Sequence, residues 1–139
     1  MSKQEAILRI NNIEVKYHEG RKDGYIGLAQ TRRPFYVELC FKPSDPEEAR
    51  IATFAHEIGH VMRVIVEGEN IEYYRALYKF ENPSTLTSKD KELILEEEMR
   101  AWEYGRKILE DYGYDLKFYD ARTLGDLRTY RRKMNMIGA

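Results

Sequence analysis

The chain has 139 residues, 42% hydrophobic and 34% charged, which fits one soluble domain over 1–139 with a sizeable core and no room for a second of full size. Its 23 Lys and Arg against 24 Asp and Glu leave a net charge of −1, so no global field draws it to nucleic acid or to lipid. No apolar run approaches the ~20 residues of a membrane span, and MSKQEAILRI lacks the apolar centre of a secretory leader, so neither membrane insertion nor secretion is expected.

Residues 6–41 read as strands. AILRI, the turn pair Asn11-Asn12 and IEVKYH suggest a hairpin, and YIGLAQ and FYVELCFKP supply two further runs of β-branched and aromatic residues. The expected product is a small antiparallel sheet. The one cysteine, Cys40, lies within YVELCF and reads as a small buried hydrophobe. A chain that cannot close an internal disulfide suits a reducing, cytoplasmic setting.

The pattern Asp45-Pro46 followed by Glu48 predicts a helix capped by Asp45, running over about 46–67 and stopped by Gly68. Its apolar face holds Ile51, Phe54, Ala55, Ile58, Val61, Met62 and Ile65. Residues 69–86 fit a short aromatic helix or a loop, and the aromatic side chains at Tyr73, Tyr74, Tyr78 and Phe80 read as core rather than as a groove lining. Thr87 or Ser88 caps a second long helix that ends at Gly113, with Glu96–Arg100 and Glu103–Lys107 spaced for surface ion pairs. A final helix follows, in which Arg128 to Lys133 form a basic stretch read as a solvated face.

The first long helix contains His56-Glu57-Ile58-Gly59-His60, an HExxH pattern. Four residues of helix turn one side chain only about 40° from the other, so both imidazoles can converge on one metal ion. The histidines lie about 160° from the centre of the apolar face, so they point toward a cleft rather than the main core. Zinc lowers the pKa of a bound water to about 7, and Glu57, beside the pair, is placed to take its proton during attack on a carbonyl. Gly59 costs a mid-helix position about 1 kcal/mol against Ala, which implies close packing there.

Two histidines leave zinc short of a third protein ligand. A metzincin is excluded, because Arg63 and Val66 stand where it needs Gly and His. His18 is the only other histidine and is a weak option on a strand; the run Glu96-Glu97-Glu98 offers carboxylates. On the second long helix Glu98 falls inside the apolar stripe of Ile94, Leu95, Ala101, Trp102, Gly105, Ile108, Leu109 and Tyr112, with Glu97 and Glu96 turned progressively away. A carboxylate buried in that stripe needs a metal or an ion pair, here with Arg63 or Arg100, to offset its desolvation. Glu96 reads as a surface group.

HEIGHVM followed by Glu98-x-x-Ala101-Trp102-x-x-Gly105 resembles the ImmA/IrrE type of zinc metallopeptidase and related compact, phage-encoded gluzincins, over roughly residues 36–112. The family's Glu-Ala pairing before the aromatic is Arg100-Ala101 here. The resemblance implies a zincin-like α+β fold: a small antiparallel sheet packed on two long helices that carry the zinc site, plus a C-terminal helix. It implies His56, His60 and Glu98 as ligands of Zn2+ and Glu57 as general base. It also implies a protein or peptide substrate, such as a regulator or repressor, lying along an edge strand formed by YIGLAQ or FYVELCF, with one of the eleven tyrosines serving the oxyanion. Sensor or DNA-binding domains found in relatives have no room in this chain, and neither a nucleic-acid nor a membrane partner is expected. A second reading is a catalytically silent zinc-binding protein of peptidase fold that serves as a protein-interaction module; an intact Glu57 favours the enzyme, since a structural zinc site needs no general base.

Overall fold

The structure, a computed structural model, describes residues 13–19, 27–31, 35–41 and 45–136. AILRI and the Asn11-Asn12 turn therefore lie outside the described residues. Three strands follow: β1 (Glu14–Glu19), β2 (Gly27–Gln30) and β3 (Tyr36–Phe41), in the order β1-β3-β2. β2 runs antiparallel to β3, with Ala29 opposite Val37, whereas β1 runs parallel to β3, with Val15 opposite Val37. The sheet is thus mixed, not wholly antiparallel as expected. Apolar patterning marks which residues can pair and says little about direction; β2 turns the chain back so that β3 runs the same way as β1. With β3 in the centre, FYVELCF is excluded as an edge, and among the described residues YIGLAQ, which contains β2, supplies one. His18 lies in β1, and its side chain lies outside the described residues.

Helix α1 (Glu47–Glu67) covers the sheet: Phe54, Ile58 and Val61 pack with Ile13, Val37 and Leu39 in one buried cluster. The alternation of Val37 and Leu39 along β3 is what turns both toward α1. Cys40 is buried, as expected. The α1 cap differs from the expected one: Pro46 occupies the N-cap without a side-chain bond, and Glu47 and Glu48 favour the positive end of the helix dipole instead. Gly68 ends the helix at φ 83°, its N–H donating to the Val64 carbonyl. Ile65, placed on the apolar face by the helical wheel, is 45% exposed.

Residues 71–79 form helix α2 (Ile71–Lys79), capped by the Asn70 side chain, which accepts from the Tyr73 N–H. Helix α3 (Ser88–Asp111) starts at a capping box in which Thr87 and Asp90 exchange side-chain and backbone bonds, and Gly113 follows its end at φ 76°. Glu96 pairs with Arg100 as expected, whereas Lys107 pairs with Asp111 rather than Glu103. Helix α4 (Lys117–Lys133) closes the fold: Tyr119 joins Ala52, Ala55, Trp102 and Leu109 in a second buried cluster. A third joins Tyr73, Ala76, Ile94, Leu95 and Met134. The architecture is α+β and mostly helical, and among the described residues no helix is long and apolar enough to cross a membrane.

The α1–α3 contact positions everything that follows. A Cβ built on Gly59 would fall on the Ala101 carbonyl oxygen, and one built on Gly105 would lie 2.5 Å from the Ala55 carbonyl oxygen. Ala55 and Gly59 on α1 thus face Ala101 and Gly105 on α3, four residues apart on each helix. Small residues at this spacing let two backbones approach to contact, and this is the packing that a mid-helix Gly59 implied.

Candidate metal centre

The close helix contact brings His56 and His60 from α1 against Glu98 from α3. Glu98 Oε2 lies 3.1 Å from His56 Nε2, and Glu98 Oε1 lies 3.3 Å from His60 Nε2. One ligand atom from each of the three residues can be chosen so that all lie within 4.8 Å of one another. A tetrahedral zinc with bonds near 2.0–2.2 Å holds its ligand atoms about 3.4 Å apart, so each histidine nitrogen stands close to that distance from one Glu98 oxygen, His56 from Oε2 and His60 from Oε1. Glu98 Oε2 is buried without a hydrogen-bond partner although an imidazole nitrogen is close by. A buried carboxylate oxygen left orphaned in this way is costly, and a cation between the three groups would satisfy it. The three residues can therefore hold a metal ion.

Electrostatics follows from the same geometry. Burial alone would raise the Glu98 carboxyl, but the two histidines hold it well below the usual carboxylate range. Burial alone would lower His60, but Glu98 and Glu97 carry it well above the ordinary imidazole value. Each group is charged because the other is. Glu57, with its Oε1 4.0 Å from His56 Nε2, is pushed up chiefly by burial and is pulled down by the histidines.

Glu97, which the helical wheel turned away from the apolar stripe, is also buried. Its Oε2 meets His60 Nδ1 at 3.3 Å and its Oε1 meets Arg63 Nε at 2.6 Å. Arg63 thus pairs with Glu97, not with Glu98, and Arg100 pairs at the surface with Glu96 and Glu67. The Glu97 carboxylate binds the outer nitrogen of His60 and leaves Nε2 to face the centre, a standard means of fixing tautomer and ring orientation. The signal available in the sequence was Arg63, a cation on the α1 turn after His60 that needs a buried partner.

The triad opens into a cleft of about 240 Å³. Ala29 and Thr31 at the end of β2 form one wall, and Tyr73, Tyr74 and Leu77 of α2 form another. Tyr73 serves as core and as lining, Tyr74 lines the cleft and hydrogen-bonds Thr31 at 2.9 Å, and Tyr78 is 88% exposed, so the aromatic run is only partly core. Tyr130 of α4 lines the same cleft as Glu98. Arg128, Arg132 and Lys133 remain a solvated face.

Comparison of this chain with protein-family models, with curated proteins and with solved structures returns no match.

Proposed function

We propose that this chain is a zinc-dependent endopeptidase of the compact gluzincin kind, with a zincin-like fold, that cleaves a protein substrate such as a regulatory protein. The observation that carries the reading is the meeting of His56, His60 and Glu98 with Glu57 buried beside them at the floor of a cleft. Zinc held by this set of two histidines and a carboxylate supplies a Lewis acid and an acidified water.

The chain's own residues do the rest. Glu57 accepts a proton at its carboxylate during attack on the peptide carbonyl and returns it to the leaving amine; its raised affinity for protons, due to burial, makes it the stronger acceptor. Tyr73 and Tyr130 line the cleft, and burial keeps both hydroxyls protonated, so either can donate to the oxyanion as charge develops. Ala29 and Thr31 bring the edge of β2 to the cleft, where an extended peptide can add main-chain hydrogen bonds.

The silent interaction module is the second reading, favoured by the Thr31–Tyr74 hydrogen bond that ties the β2 wall of the cleft to the α2 wall. Glu57→Gln separates the two. The enzyme reading expects zinc content to be kept and cleavage of an unstructured protein substrate to fall by about 100-fold or more. Activity that survives the substitution removes Glu57 from its role, and a wild type loaded with zinc but inert toward a broad set of peptides supports the module.

A further inference from the structure

The two histidines of the centre are buttressed from behind, but by different chemistry. His60 is held through its Nδ1 by Glu97. His56 has no equivalent: its Nδ1 is buried and has no hydrogen-bond partner. A metal-ligating histidine normally donates its outer N–H to a carboxylate, carbonyl or water, because that bond fixes the ring. Something else must set the His56 ring, and the structure provides it. The indole of Trp102 lies against the imidazole, with ring centroids 4.1 Å apart and planes inclined by 22°.

Trp102 is itself fixed at two points by α4. Its Nε1–H donates to Asp126 Oδ2 at 2.8 Å, and its carbonyl accepts from the Tyr119 hydroxyl at 2.7 Å. Tyr119, Asp126 and Tyr130 stand at intervals of seven and four residues, one face of a helix. Through Tyr119 and Asp126 that face engages Trp102, which stacks on His56, and its Tyr130 lines the cleft with Glu98. Little in the composition of α4 marks this, since the helix is polar and ends in a basic stretch.

We infer that Trp102 is the positioning residue for His56, aligning its Nε2 by stacking in place of the missing hydrogen bond, and that Asp126 fixes the indole, so that α4 is a working part of the metal centre. The inference rests on the metal-site reading of His56, His60 and Glu98. A stacked ring restrains tilt over the whole face of the imidazole, and the Asp126 bond stops the indole from sliding along it. Loss of an outer partner of a metal ligand typically costs 10–100-fold in metal affinity, and that is the range expected here.

The test uses the full chain, stripped with chelator, and zinc alone as the probe. Trp102 is the chain's one tryptophan, so its emission reports directly on the ring stacked against it. Affinity is measured by competition with a chromophoric chelator for wild type, Trp102→Phe, Trp102→Leu, Asp126→Ala and Asp126→Asn, each checked by circular dichroism to be folded. Wild type is expected to change its emission and saturate at one zinc per chain. Trp102→Leu and Asp126→Ala should bind 10–100-fold more weakly. Trp102→Phe, which keeps a stacking ring, and Asp126→Asn, which keeps an acceptor oxygen, should recover most of the loss.

A merely structural tryptophan would lower the melting temperature of its variants without changing the zinc affinity of the folded fraction. Wild-type affinity in Trp102→Leu or Asp126→Ala overturns the positioning role and leaves the metal site standing. Failure of the wild type to bind zinc overturns the site and the inference together. Should Trp102→Leu not fold, the Asp126 pair decides alone: equal affinities for the Ala and Asn variants contradict the role assigned to the bond.

Discussion

Gly59→Ala is the sharpest perturbation of the scaffold, because the same methyl group is favourable in an exposed mid-helix setting. In an exposed helix Ala is better than Gly by about 1 kcal/mol. At position 59 the new Cβ would collide with the Ala101 carbonyl oxygen and stand 3.1 Å from the Gly105 nitrogen. Both are backbone atoms inside α3, so neither can rotate aside, and α1 and α3 must separate by roughly 1 Å or more to restore van der Waals contact. Overpacking costs about 1–3 kcal/mol, and a clash in which only backbone can yield belongs at the upper end, about 2–3 kcal/mol, which leaves a net loss of about 1–2 kcal/mol after the propensity gain. For a domain of this size that is a fall in melting temperature of about 3–8 °C.

The same separation stretches the 3.1 and 3.3 Å contacts between the histidines and Glu98, so zinc affinity should fall by at least about 10-fold. Gly125→Ala is the matched control: Gly125 lies in α4 with nothing within 4 Å of a built Cβ, and its replacement should stabilise by up to about 1 kcal/mol. Thermal melts of the apoprotein followed by circular dichroism, with chelator competition for zinc, read both effects. If Gly59→Ala melts at or above the wild type, as Gly125→Ala should, the backbone contact between α1 and α3 is not what the structure gives and the argument for the site's spacing fails with it.

Three further outcomes follow from the centre itself. Glu97→Gln should keep one zinc per chain but bind it about 10-fold more weakly, measured by the same competition, because an amide supports His60 less well than a carboxylate; Glu98→Ala should lose zinc altogether, and equal losses in the two would deny them separate roles. Zinc uptake at pH 7 should release a proton, since His60 is carried well above its ordinary value of 6.5 in the metal-free protein and must be neutral to bind; calorimetry in buffers of different ionisation enthalpy checks this, and buffer-independent heats would contradict it.

The same charges set the pH dependence of the apoprotein. His60, raised on folding, contributes stability that is full below 6.5 and is lost as pH rises through its folded value; Glu98, lowered on folding, contributes stability that is full above 4.5 and is lost as pH falls through its own. Metal-free melts should therefore gain most from this pair between about pH 4.5 and 6.5, and His60→Gln should abolish the gain.

The parts of the fold that local chemistry dictates were legible in the residues. Helical spacing put His56 and His60 on one side of α1 and Glu98 in the buried stripe of α3, and Gly59 marked the contact that joins them. What depends on neighbours from elsewhere in the chain was not. Pairing direction in the sheet is set by where β2 turns the chain, not by the apolar pattern of β1 or β3. Glu97 sits off the stripe of its own helix, and it is buried because α1 packs so close that the flank of α3 is covered as well, with Arg63 there to balance the charge. Asp126 and Tyr130 lie in a helix whose composition suggests solvent, and only the packing of α4 over Trp102 and Glu98 gives them a place at the site. Trp102 itself was visible as a core residue, but the ring it supports lies on another helix.

The most direct test of the account is the metal content of the purified protein by mass spectrometry, without added metal, for wild type, His56→Ala and Glu98→Ala. One zinc per chain in the wild type and none in either variant is the result predicted for a centre built from two histidines and Glu98. A wild type that carries no metal and takes up none when zinc is supplied, or a Glu98→Ala variant that keeps a full equivalent, would contradict it.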